Sequence, residues 1–144
     1  MNKAILKTYF NKENDRTGKI LRDKTFKYDN KYLISDKYSI VCLNDNYGLE
    51  ISKDTLGINR IYENFINNYE IGSTFMTIDT KEDFEPITKD YSIQMKQFRR
   101  INKLIKSNTY AILYNINKKD DVPIVRLENS KTKETAYLLA CRTF

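Results

Sequence analysis

Histidine and tryptophan are absent from this chain, and cysteine, proline and glycine are scarce, at two, two and four among 144 residues. Without histidine there is no Ser/His/Asp triad, no Cys/His nucleophile pair and no imidazole metal site. Cys42 and Cys141 stand far apart, each in an apolar strand-like segment, with no metal-ligand spacing. They read as small buried hydrophobes of a reducing cytosol, so the expected location is cytoplasmic. Gly18, Gly48, Gly57 and Gly72 are isolated, which rules out a glycine-rich phosphate loop. No Ser/Gly/Pro-rich linker divides the chain. Residues 1–144 are therefore expected to form a single compact domain, long enough to bury a core without metal or disulfide staples. No apolar run approaches the ~20 residues that span a bilayer, and Met1 to Phe10 lacks the uninterrupted apolar centre of a signal peptide. No membrane partner, metal or cofactor is expected.

What the chain does have is charge, with a net of +6, and aromatic surface, with eleven tyrosines and seven phenylalanines. The charge is unevenly distributed. Residues 1–43 carry ten basic and five acidic side chains (net +5), residues 44–90 four and ten (net −6), and residues 91–144 eleven and four (net +7). An acidic middle between basic ends suits a basic ligand face, and equally a head-to-tail contact in a homo-oligomer. Asp79, Glu82, Asp83 and Glu85 offer carboxylates for metal or acid–base work, but such a run reads as a solvated loop. Nothing singles out a catalytic residue, and the chain is expected not to be an enzyme. Tyrosines interleaved with Lys and Arg can stack on bases or anchor an interface, but in strand-like segments they read as half-buried sheet residues.

The most informative stretch is Tyr91 to Lys106. Met95, Phe98, Ile101, Leu104 and Ile105 recur at helical spacing, which predicts a helix with one apolar face. Lys96, Arg99, Arg100, Lys103 and Lys106 fall on the opposite face with no acidic residue among them. These five are the candidate nucleic-acid or partner-binding residues, since such a row of cations suits an anionic partner. The same pattern also fits an ordinary solvated helix face.

The remaining periodicities outline an α+β chain. Asn2 to Phe10 suits a short helix and Asn11 to Gly18 a loop. Lys24–Tyr28 and Lys31–Ser35 read as strands joined by the turn pair Asp29-Asn30, and Tyr38–Leu43 as a third. Ile58 to Tyr69 predicts a helix stopping near Gly72, and Thr74 to Asp79 a strand. Tyr110–Ile116, Pro123–Glu128 and Thr135–Phe144 complete the strands, with Pro123 at a strand start or edge. A helix followed by a meander thus occurs at Asn2–Leu43 and again at Ser92–Phe144. The expected architecture is a duplicated helix-plus-antiparallel-meander unit, with helices on one side of the sheets.

Two local strings sharpen that layout. Tyr32-Leu33-Ile34-Ser35-Asp36-Lys37-Tyr38-Ser39-Ile40-Val41 gives a strand, an Asp-centred bend and a second apolar strand. Pro123-Ile124-Val125 and Tyr137-Leu138-Leu139-Ala140-Cys141-Arg142 supply the closing strands. Together they resemble one domain of the DNA sliding-clamp fold, as in small clamp-like proteins of phages and mobile elements. Ser35 and Lys37 stand where that bend has Thr and Gly, and Ala140-Cys141 where clamps have Met-Pro. The resemblance implies no catalytic residues, helices that face nucleic acid, and a ring only by assembly, because one chain supplies one of six domains.

The expected function is a non-enzymatic phage or mobile-element-type protein that engages DNA or a nucleic-acid-processing complex through the basic helix. The alternative is a protein inhibitor of a host or phage target, such as an anti-defence (anti-CRISPR) or toxin-immunity factor. It would block a nuclease or its nucleic-acid channel by occlusion. A sponge for anionic nucleotide signals is the third reading.

Overall fold

Strand β3 (Ser39–Leu43) is buried at all five positions, sending Ile40 and Cys42 to one face of its sheet and Val41 and Leu43 to the other. A strand that is apolar on both sides requires cover on both sides. That requirement sets the plan of the molecule, a computed structural model of which describes residues 3–10, 14–75 and 81–143. The main sheet has eight strands. Besides β3 these are β1 (Lys24–Tyr28), β2 (Lys31–Ser35), β4 (Glu50–Ile51), β5 (Tyr69–Phe75), β8 (Thr109–Asn115), β9 (Ile124–Glu128) and β10 (Thr135–Leu139). Their order is β4-β1-β2-β3-β10-β9-β8-β5, antiparallel except where the two-residue β4 runs parallel to β1. Two three-stranded meanders, β1-β2-β3 and β8-β9-β10, thus meet along β3 and β10, where Ala136 lies opposite Val41. A smaller sheet, β6 (Phe84–Pro86), β7 (Tyr91–Gln94) and β11 (Cys141–Arg142), is ordered β11-β7-β6.

Among the described residues, four helices cover the two faces. On one, α1 (Lys3–Tyr9) packs on α4 (Met95–Ile105), and Leu6, Tyr9, Phe98 and Ile101 share a core with Ile34, Val41, Val125 and Leu138. On the other, α2 (Arg16–Leu21) and α3 (Ile58–Asn68) bury Leu21, Ile58 and Tyr62 against Phe26, Leu33, Ile40 and Tyr137. The fold is therefore mixed α+β with a large, mostly antiparallel sheet, as expected, but its helices do not all lie on one side. α2 and α3 take the other side, because Leu33, Ile40 and Ile124 project away from α4 and need a second cover. Aromatic edges fill that second core: Tyr62 meets Tyr28 and Tyr137 edge-on, with ring centroids at 5.1 and 5.8 Å. These tyrosines are packing residues rather than a stacking surface.

Several elements depart from expectation. The predicted loop before Gly18 holds α2, because Asp15 accepts a hydrogen bond from the Gly18 N–H (2.7 Å) as its N-cap; Asn11 to Glu13 lie outside the described residues. Gly72 does not end α3. The helix stops at Asn68 and the chain turns directly into β5, where Gly72 sits at a bulge between Ile71 and Ser73. A Cβ at Gly72 would lie 2.1 Å from the Tyr114 ring, so the glycine is there for the close approach of that ring. Tyr69 and Glu70 accordingly belong to β5 and not to the end of the helix. The Thr74–Asp79 strand is reached only as the end of β5, and Met76 to Asp79 lie outside the described residues. Tyr91–Gln94 is strand rather than the first turn of α4. The last predicted strand breaks at Ala140, whose N–H is taken by the Pro123 carbonyl (3.2 Å), and β11 crosses to pair with β7.

Candidate nucleic-acid interface

α4 begins where the Asp83 carbonyl accepts the Met95 N–H (2.8 Å), so the residue just before β6 replaces a side-chain N-cap. It ends at Lys106, in the left-handed conformation (φ 51°), where the Asn129 amide donates to the carbonyls of Ile105 (3.0 Å) and Lys106 (3.1 Å). Between these stops Met95, Gln97, Phe98, Ile101, Leu104 and Ile105 are buried. Lys96, Arg99, Lys103 and Lys106 are exposed and Arg100 is half-buried. Four of the five predicted cations thus share the outward side of one helix, and Lys106 lies just past its end as the C-cap.

They are not equivalent. Arg99 donates to the Glu82 carbonyl (3.2 Å) and so ties α4 to the segment before β6. Arg100 lies close enough to Asp36 for its positive charge to favour that carboxylate. The side chains of Lys96, Lys103 and Lys106 have no hydrogen bond or ion pair among the described residues. Arg99 and Arg100 therefore belong partly to the scaffold, and the three lysines are the groups left for an external anion.

The position of Asp36 explains how the layer is built. It sits in the β2–β3 bend, buried, and one of its carboxylate oxygens accepts the N–H groups of Tyr38 (2.8 Å) and Ser39 (2.7 Å) and the Ser39 hydroxyl (2.9 Å). Its own N–H donates to the Tyr9 hydroxyl (3.0 Å), which also bonds the Ser39 hydroxyl (2.9 Å). One turn thus fastens α1 through Tyr9 and faces α4 through Arg100. Burial raises the Asp36 carboxyl above its ordinary range against the opposing pull of these donors and Arg100, and burial likewise raises Tyr9.

The periodicity of α4 did not nominate Lys3 and Lys7. Both are exposed on α1, one turn apart, and neither α1 nor α4 contains an acidic residue. Their shared spacing was visible in the sequence; that α1 lies beside α4 was not. Glu82, Asp83 and Glu85 converge on no site: among the described residues no three acidic or cysteine side chains are placed to hold a metal ion. No described helix is long and apolar enough to cross a membrane. On the opposite face an open groove of about 360 Å³ runs between α2, α3 and the β2–β3 bend, with Tyr38, Leu56, Ile61 and Leu139 exposed along it.

Comparison with protein-family models, with curated proteins and with solved structures finds no match for this chain.

Proposed function

We propose that this is a non-enzymatic DNA-binding protein of clamp-like design, engaging duplex DNA or a nucleic-acid-processing complex through the α1/α4 layer. The observation that carries the reading is a two-helix layer whose outward charges are all positive: Lys3, Lys7, Lys96, Arg99, Arg100 and Lys103. Such a surface attracts phosphates without regard to base sequence, because side-chain cations act on the backbone charge. The clamp resemblance is supported by the layout of two helix-then-meander runs, joined along β3 and β10 with their helices side by side. The test is fluorescence anisotropy of a labelled duplex at two salt concentrations. Affinity should fall as salt rises, by a log–log slope of roughly −0.9 per phosphate neutralised. Lys96→Glu with Lys103→Glu should weaken binding about tenfold or more at low salt and flatten the slope. No binding at low salt, or binding indifferent to this double variant, overturns the reading.

A second reading, a protein inhibitor that occludes a nuclease, is favoured by the groove lined by Tyr38, Leu56, Ile61 and Leu139. Exposed apolar side chains around a concavity suit the centre of a protein interface. Capture from host lysate separates the two readings: an inhibitor keeps its partner after nuclease treatment, and a DNA-binding protein loses it.

A further inference from the structure

We propose that two copies of this chain join edge to edge through β5, antiparallel about a two-fold axis, so that their main sheets become one. β5 is the longest exposed edge in the structure. It runs from Tyr69 to Phe75, has β8 as its only strand neighbour among the described residues, and is exposed at every position from Glu70 to Thr74. A free edge presents unpaired N–H and C=O groups and is normally guarded by lysine, proline or a covering loop. β5 has neither lysine nor proline, and Ile71 at its centre is 52% exposed. Among the described residues the bulge at Gly72 is its one protective feature. From Asn64 to Ile78 Glu70 is the only charged residue, in a chain of which 31% is charged. Depletion of charge is the compositional mark of an interface centre rather than of a solvated rim.

The occupant follows from strand lengths. The opposite edge of the main sheet ends in β4, two residues long, and the smaller sheet ends in strands of two and three. A head-to-tail chain of sheets would set seven residues against the two of β4 and the three of β1 that β4 leaves unpaired; only β5 against a second β5 matches its full length. Antiparallel pairing about Gly72 sets Glu70 opposite Thr74 and Ile71 opposite Ser73, so no like charges meet. A two-fold that relates antiparallel strands of one sheet stands normal to the sheet. Both α1/α4 layers then emerge on the same side. On the DNA-binding reading above, and only there, this makes the dimer bivalent for one duplex.

The test is light scattering on the full chain across a wide concentration range. The expected mass approaches twice the protomer's 17.1 kDa. Ile71→Lys with Thr74→Lys, both exposed, should give protomer mass throughout with an unchanged far-UV spectrum and a melting temperature that no longer depends on concentration. A wild type that stays at protomer mass overturns the proposal, as does a dimer that survives the double variant or an assembly larger than two. DNA titration of the monomeric variant keeps the outcomes apart. Weaker binding to long duplexes with unchanged binding to a duplex that spans one protomer is the expected result. A dimer that ignores DNA would refute the functional reading and leave the pairing standing.

Discussion

Asp36 shows how a single carboxylate organises a layer. Its three accepted hydrogen bonds hold the β2–β3 bend, and its N–H holds Tyr9, so truncation strands several buried donors at once. Asp36→Ala should cost about 1–3 kcal/mol in urea unfolding. The Asn variant separates shape from charge, since its amide oxygen can still accept from Tyr38 and Ser39. Because the folded-state carboxyl is raised above its unfolded value, the native form favours the protonated acid. The unfolded chain ionises first as pH rises, so the wild type loses stability between the ordinary carboxylate range and the raised value. The stability of Asp36→Asn relative to wild type should therefore increase from acid to neutral pH. A constant difference would show that the buried charge is already fully compensated. A second residue-level case is Tyr47, whose hydroxyl donates to the buried Glu134 carboxylate (3.0 Å); burial first, and that charge second, push it up to about 12.

At the level of elements, legibility followed locality. β1 and β2 occupy the bounds read from their alternation, and the turn pair Asp29-Asn30 joins them, with Asp29 at a positive φ (50°). The buried and exposed sides of α4 fall where its spacing put them. What failed depended on partners remote in sequence. Tyr91–Gln94 continues the apolar rhythm of α4, yet its backbone is drawn into a sheet by β6 and β11. Arg99 and Arg100 looked equivalent to Lys96 because nothing local marks Glu82 and Asp36 as their neighbours. The start of α3 was legible in principle. Gly57 precedes it without a cap, but the Asp54 carboxylate accepts the N–H groups of Ile58 (2.7 Å) and Asn59 (2.8 Å). Asp54→Ala should thus destabilise the protein by about 1 kcal/mol, as loss of an N-cap does, and a urea midpoint shift checks it. Asp54→Asn should recover only part of that loss, because the two N–H groups go to different carboxylate oxygens and the amide keeps one acceptor.

On the scale of the whole molecule, both cores are built on the same strands, so neither has a boundary along which to unfold alone. Far-UV circular dichroism reports the sheet, and near-UV signal reports buried Tyr9 on one face with Tyr62 and Tyr137 on the other. The two urea transitions are expected to superimpose; separate midpoints would mean that the layers melt independently. Ile101, fully buried on the inner face of α4, gives a matching check, since Ile101→Ala should cost about 2–5 kcal/mol and move both signals together. The double-sided burial of β3 has one more consequence. Its amide protons, locked to β2 and β10 and roofed above and below, have no local opening that admits solvent. They should trade for deuterium only when the entire chain opens, which makes Val41 and Cys42 built-in clocks for the lifetime of the native state.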